Sequence, residues 1–478
     1  MNKYKKLAMN TIVFAIGNFG SKILVILLTR LYTKNISPAD SSTKELLEIT
    51  ANFLLPIFTF SMTEAIIRYG LDRKYKKHEV FTTATVLNCM GLLLMFIVVP
   101  ILKLIPFLRF IDNYTIMLLV YVCTSSLRSL CSQFVRAKGY VGLYSFDGIF
   151  ATFLLFVFNI IFISKLQWGV NGFMMSVIAS DFLSALFLFV IAGLKNYLSI
   201  KYYNKRLATS MMRFAVPLIP TVVMWVITGF SDRLFIRYMH SDVVQLGEDS
   251  AGIYGYASKI PNLISMVSTI FFQAWNMSAI MENDSKDRSN FYEKVYNAYE
   301  AILVIASAFM IAGVNIISPF FISTKNFKEY GDVYKYTPVL VVAVLFMCLD
   351  QFLSSIYTAT KHTKNSFWTS FVASITNIIL NYFLIPVWGI QGASVATFLS
   401  YYVCFWTRII DARYYIPFKF NGFRSVINTT ALLVMCRLMI SKPKLYGLFN
   451  FILLLFVVVS NYNALMLTAR KLLRKRGK

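Results

Sequence analysis

Long apolar stretches of about twenty residues, separated by short polar turns, follow one another along nearly the whole 478-residue chain. A hydrocarbon core about 30 Å thick is crossed by a helix of about 20 residues, so each stretch predicts one transmembrane helix. Fourteen segments are read, at residues 8–33, 45–67, 81–102, 114–135, 145–164, 170–193, 209–232, 254–280, 296–321, 336–359, 367–386, 391–410, 423–440 and 446–467. These blocks are too long for strands, and a membrane β-barrel would alternate apolar and polar positions over about ten residues at a time. The predicted fold class is an all-α polytopic membrane protein. Composition agrees, with 57% hydrophobic and 14% charged residues, against about 25% charged in soluble domains.

Charge then orients the segments. Short loops rich in Lys and Arg stay in the cytoplasm. With the N-terminus inside, thirty Lys and Arg fall on the cytoplasmic face, eleven on the other and six within segments. Both termini are therefore expected in the cytoplasm. The net charge of +25 reflects this bias and contact with anionic membrane lipids, and nucleic acid is not expected as a partner. The basic start leads into an apolar stretch longer than a signal-peptide core, with no small-x-small cleavage site, so it reads as a retained first helix. Six cysteines, all within apolar segments and without C-x-x-C spacing, read as packed free thiols. His78, His240 and His362 stand singly, so no metal site or cofactor is expected.

An internal repeat organises the segments. Arg136-Ala137-Lys138-Gly139, Asn159-Ile160-Ile161-Phe162-Ile163 and Trp168-Gly169-Val170-Asn171-Gly172 recur in order. Their counterparts are Thr358-Ala359-Thr360-Lys361, Asn381-Tyr382-Phe383-Leu384-Ile385 and Trp388-Gly389-Ile390-Gln391-Gly392. The offset is 222 residues for the first two anchors and 220 for the third. It spans six segments, an even number, so the copies share one orientation and are related by an axis along the membrane normal. The expected domains are an N-terminal six-helix lobe (1–194), a basic cytoplasmic linker (195–207), a C-terminal six-helix lobe (208–412), and two further helices with a basic tail (413–478). Each Trp-Gly-x-x-Gly element is read as an interfacial Trp with turn glycines.

Several stretches carry a family resemblance: Asn381 to Ser400, Gly252 to Pro261, the Phe272-Gln273-Ala274-Trp275 element, and Gly20-Ser21-Lys22 followed by Arg30-Leu31. Together, over segments 1 to 12, they resemble the multidrug/oligosaccharidyl-lipid/polysaccharide exporter superfamily, and within it the bacterial flippases for lipid-linked oligosaccharides. The resemblance implies two lobes in a V around a central cavity, opening alternately inward and outward. It implies an undecaprenyl-pyrophosphate-linked oligosaccharide as cargo, turned over for O-antigen, capsule or exopolysaccharide assembly. A polysaccharide polymerase and glycosyltransferases are implied as partners. Such a cargo needs a carrier because its charges and hydroxyls would lose their water in hydrocarbon.

Ionisable residues at membrane depth are functional candidates by default. They are Lys22 and Arg30 in segment 1, Glu64 in segment 2, Arg128 in segment 4, Asp181 in segment 6, Asp232 and Arg233 in segment 7, Lys259 in segment 8 and Asp350 in segment 10. Lys22 lies near the middle of its segment, where the resemblance puts a cavity cation, and fixed cations suit a pyrophosphate. Its alternatives are snorkelling or a pair with Asp181 or Asp350. Lys22, Arg30, Arg128, Arg233 and Lys259 form the candidate cation set. Asp350, Asp181, Glu64 and Asp232 are read as coupling or inter-lobe residues. Arg128 and Asp350 are repeat equivalents of opposite charge, which leaves three readings: a link between lobes, separate duties in anion contact and ion coupling, or pairing within each lobe. Glu64 precedes Arg68 by four residues and is expected to pair with it. Arg30, Asp232, Arg233 and Lys259 fit either an exit-side gate or ordinary interfacial anchoring.

The sequence does not choose between H+, Na+ or no coupling ion. A polymerase or ligase would show a long external loop and a glycosyltransferase a soluble domain, and neither has room here, so no enzyme is expected. The alternative transporter is a multidrug exporter of organic cations, which would bind through acids. Within the repeat, five intramembrane cations against four acids lean the other way; a sixth cation, Arg437 of segment 13, lies outside it.

Overall fold

Proline, glycine and charge interrupt the apolar segments at particular places, and those breaks shape the helices. A computed structural model of the chain describes residues 24–72, 74–102, 105–281, 288–360 and 362–474. Among the described residues the regular structure is helical, with no strand. Helices stand at all fourteen segments. They are α1 (residues 24–35), α2 (Pro38–Phe58) with α3 (Met62–Leu71), α4 (Lys77–Leu102), α5 (Thr115–Ala137), α6 (Val141–Asn159) and α7 (Gly169–Ile191). Then come α8 (Lys205–Ala215) with α9 (Ile219–Tyr238), α10 (Glu248–Ala257) with α11 (Asn262–Met281), and α12 (Arg288–Ala312) with α13 (Val314–Phe321). The last are α14 (Val333–Ala359), α15 (Thr363–Trp388), α16 (Ile390–Tyr415), α17 (Gly422–Ser441) and α18 (Tyr446–Arg474).

Nine spans among the described residues are long and apolar enough to cross a membrane, and the α2–α3 pair, bent by 52°, makes a tenth. Segment 1 is described only from residue 24. Segment 7 is divided by a 3-10 turn at Val216–Leu218, next to Pro217 and Pro220. Segment 8 breaks between α10 and α11 at Pro261, and among the described residues segment 14 contributes the shorter apolar helix Tyr446–Tyr462. Proline removes a helical N–H and crowds the preceding turn. Pro56 inside α2 does this ahead of the α2–α3 bend, where Phe60 and Ser61 take positive φ.

The chain packs as two compact units. One runs to Phe230 and takes in Lys325–Phe327; the other holds Ser231–Thr324 and Lys328 onward. In the first unit α5 and α6 pack on α7, and α3 packs on α5. In the second, α14 and α15 pack on α16, and α11 packs on α14. These are the repeat-equivalent pairs, so each unit shows the repeat by itself. The segment joining the copies forms 3-10 turns at Leu194–Tyr197 and Ile200–Tyr202, packs on α4, and leads into α8 within the first unit. Helices α17 and α18 pack on α12 of the second.

The repeat's glycines close both copies in the same way. Gly169 and Gly389 take φ of +53° and +59° at the turn into the next helix, a conformation costly for side-chain-bearing residues. Gly172 and Gly392 lie against the backbone: a Cβ would stand 3.0 Å from the Phe162 carbonyl oxygen and 2.3 Å from that of Leu384. The two carbonyls are themselves 222 residues apart.

Candidate functional site

Arg128 lies on α5 with α6 and α7 beside it. Its Nη1 donates to Asp181 at 3.1 Å, its Nε to the Ser184 hydroxyl at 3.1 Å, and its Nη2 lies 3.6 Å from Asp147. Ser184 donates to Asp147, and Ser125, one turn before Arg128, donates to Asp181. Both carboxylates are buried. A buried charge left without a partner costs several kcal/mol, and the packing of α5, α6 and α7 supplies the partners here. One cation faces two acids, so the cluster carries a charge of −1 when all three are ionised. The partners of Arg128 are thus within its own unit.

The repeat offset carries Arg128 onto Asp350 of α14 and Asp147 onto Thr369 of α15. Around these positions the second unit builds a cluster of opposite layout. Arg408 of α16, 1% exposed, donates to the Asp350 backbone carbonyl at 2.7 Å, to the Thr369 hydroxyl at 3.0 Å and to the Ser370 hydroxyl at 2.8 Å. The Asp350 carboxylate oxygens are enclosed and take no hydrogen bond among the described residues. The first unit therefore sets its cation on α5 and an acid on α7, whereas the second sets its acid on α14 and its cation on α16.

A third cluster, also in the second unit, centres on Asp232 of α9, 3% exposed. Its Oδ1 accepts from Asn381 of α15 at 2.6 Å, and its Oδ2 accepts from Tyr254 of α10 at 2.6 Å and Thr397 of α16 at 2.8 Å. Asn381 also donates to Asn377 at 3.1 Å, and Ser231 donates to Asn377 at 2.9 Å. The three donors to Asp232 are uncharged. Two further polar atoms here, Asn377 Nδ2 and Asn381 Oδ1, are buried without a hydrogen-bond partner. An acid wrapped in hydroxyls and amides, with a spare oxygen beside it, suits a small monovalent cation or a proton.

The remaining candidates are dispersed. Lys22, with Gly20 and Ser21, lies outside the described residues. Arg30 is exposed on α1. Glu64 and Arg68 are both exposed on α3, and no ion pair joins them, contrary to the four-residue spacing; exposed to water, such a pair gains little. Arg233 lies over the Tyr254 ring at 5.7 Å and reaches the Ser258 hydroxyl at 3.4 Å. Lys259, expected inside segment 8, stands in the turn between α10 and α11 because that segment breaks before Pro261.

Four buried ionic features were not singled out from the sequence. Asp147 lies about two turns into α6, where a position so near a segment end reads as interfacial. Arg408 and Lys44 read as loop cations, yet Lys44 is 2% exposed on α2, which begins at Pro38 rather than residue 45. Its Nζ lies over the rings of Tyr32 and Phe173 and 3.4 Å from Glu48. Glu300 of α12 is buried and meets Arg424 of α17 at 2.6 Å. Trp275 of the Phe-Gln-Ala-Trp element is a core residue, stacked on Phe352 at 4.7 Å and bonded to Ser355. Trp168 and Trp388 are about half exposed, as interfacial residues are. No group of three or more His, Cys, Asp or Glu suited to a metal occurs among the described residues.

No protein-family model matches the chain. An uncharacterized membrane protein of Methanocaldococcus jannaschii is 25% identical over 256 residues, 50% of this chain and 58% of that protein. The match thus spans little more than half of that relative. Solved structures share the fold over far more of the chain. A lipid II flippase, MurJ, in an inward closed conformation matches with a TM-score of 0.73 at 14% identity, over 97% of this chain and 100% of that one. An inward-facing multidrug resistance MATE transporter of the MOP superfamily gives 0.63 at 14% identity, over 84% of this chain and 98% of that one. The MATE transporter VcmN of Vibrio cholerae gives 0.60 at 10% identity, over 86% and 97%. The chain is a polytopic all-α membrane protein with the fold of the multidrug/oligosaccharidyl-lipid/polysaccharide exporter superfamily.

Proposed function

We propose that this protein is a flippase that moves an undecaprenyl-pyrophosphate-linked oligosaccharide from the cytoplasmic to the outer leaflet by alternating access, for surface polysaccharide assembly. The observation that carries the reading is coverage. The flippase fold matches 97% of the chain, whereas the two MATE transporters match 84% and 86%. The thirty-to-eleven bias of basic residues supports a cytoplasmic membrane location with both termini inside. Lys22 is the proposed pyrophosphate contact, and Asp232 the proposed seat of a coupling H+ or Na+, supported by its neutral donors and the orphaned amide atoms beside it.

The reading is tested in the host cell. Lys22→Ala is expected to abolish surface polysaccharide while protein level and membrane insertion stay normal; unimpaired export would remove Lys22 from the site. The second reading, an organic-cation exporter, is favoured by one feature, the surplus acid of the Arg128 cluster. It predicts that deleting the gene sensitises cells to cationic dyes and leaves surface polysaccharide unchanged.

A further inference from the structure

The segment between the two repeat copies is fastened to α4. Thr82 donates to the Tyr197 carbonyl at 2.7 Å and accepts from the Ser199 amide at 3.2 Å, and Thr83 accepts from the Asn204 amide at 3.2 Å. Asn204 also donates to Glu79 at 2.9 Å, and the His78 ring packs at a tilt against Tyr202, 4.2 Å between ring centroids. The result is a fixed rim around a cavity of about 500 Å³, and Lys76, Lys201, Lys205 and Arg206 line it. That volume lies within the range of small-ligand sites, roughly 300–1,000 Å³.

Charge in this cavity is not balanced from within. Glu79 is its one acidic lining residue, and it is engaged by Asn204 and by Lys76 at 4.0 Å. Among the described residues, Lys201, Lys205 and Arg206 meet no carboxylate at ion-pair distance. Lys201, Lys205 and Arg206 gather beside Lys76 although their repulsion would spread them, and hydrogen bonds to α4 fix the stretch that carries them. Beside them the same linker exposes apolar groups: Ile200 is 86% exposed, and Leu198 and Tyr203 about 40%. Exposed apolar side chains alternating with cations are suited to the boundary between headgroups and acyl chains.

We propose that this cavity binds the phosphate of an anionic phospholipid headgroup, with Lys201, Lys205 and Arg206 contacting the phosphate and Leu198 and Ile200 lying along the acyl chains. A phosphate neutralises several cations at once through charge-assisted hydrogen bonds. A lipid, unlike a soluble phosphate, also covers the apolar groups on the rim. Bound there, it holds the segment that joins the two repeat copies.

Native mass spectrometry of the full-length protein in detergent tests this, with phosphatidylglycerol and phosphatidylcholine of matched acyl chains as probes. The wild type is expected to take up the first phosphatidylglycerol at least about tenfold more tightly than phosphatidylcholine, since each basic residue near an anionic headgroup adds to the attraction. The K201Q/K205Q/R206Q variant should lose that preference, and K201R/K205R, which keeps the charge, should retain it. A tail variant, R470Q/K471Q/R474Q, removes the same charge elsewhere and should behave as wild type. Three results would overturn the proposal: retained preference in the linker variant, equal loss in the tail variant, or inorganic phosphate binding as tightly as the lipid.

Discussion

Arg128 shows how a buried ion network behaves as one unit. Its guanidinium stands between Asp147 and Asp181, both enclosed, with Ser125 and Ser184 taking up further lone pairs. Removing the cation leaves two buried carboxylates facing one another, a loss of about 3–5 kcal/mol. Arg128→Ala should therefore lower the thermal unfolding temperature in detergent markedly. Adding Asp147→Asn and Asp181→Asn should restore most of it, since the isosteric amides need no counter-charge. Failure of that rescue would mean that Arg128 is held by something other than these acids. Asp232 predicts a different pattern. Its donors are neutral, so Asp232→Asn should leave stability within about 1 kcal/mol, the net worth of an ordinary hydrogen bond, while abolishing any dependence of transport on a pH or sodium gradient. A variant that still follows the gradient would place coupling elsewhere. At this scale the sequence listed most of the ionisable residues but not their partners. Arg128 and Asp181 were visible as intramembrane charges; that Asp147 completes the set depends on α6 beginning at Val141 rather than near residue 145. Arg408 was read as a loop cation because it lies within the last few positions of its segment, and only the packing of α14, α15 and α16 shows it enclosed.

At the scale of elements, the repeat was the most legible feature. The paired Trp-Gly-x-x-Gly elements form equivalent turns, and their second glycines touch carbonyls that are themselves repeat equivalents. The contacts differ in tightness, which makes a graded prediction. Gly392→Ala puts a Cβ 2.3 Å from a backbone oxygen and must displace a helix, whereas Gly172→Ala meets its carbonyl at 3.0 Å. Overpacking of this kind costs about 1–3 kcal/mol. Gly392→Ala should fall at the upper end and Gly172→Ala at the lower, measured as loss of folded protein on heating. Equal effects would mean that the clearance to the facing carbonyl does not set the cost. The broken helices were less legible. An apolar run gives the existence of a span from its length alone, whereas the bend at Phe60–Ser61 and the interruptions near Pro217 and Pro261 depend on how each helix meets its neighbours. Lys259 was assigned to a helix for that reason.

For the whole molecule, hydrophobic length and charge bias were sufficient to predict an all-α polytopic chain. Helices occur at every one of the fourteen expected segments, including the two beyond the repeat, α17 and α18. Those two are joined to the second unit by the buried Arg424–Glu300 pair and the packing of both on α12. What apolar periodicity does not encode is cargo, because a pyrophosphate and an organic cation are told apart by where charged side chains meet in the folded chain, not by the lengths of apolar runs. Whether the cargo is a lipid-linked oligosaccharide can be measured on the purified protein in proteoliposomes. A fluorescent undecaprenyl-pyrophosphate oligosaccharide is incorporated, and the fraction reached by a membrane-impermeant quencher is followed with time. A flippase for this cargo should give quenching well beyond the outer-leaflet fraction seen in protein-free vesicles, and Lys22→Ala should lose it. Quenching no greater than in protein-free vesicles, with uptake of a cationic dye by the same preparation, would contradict the proposed cargo.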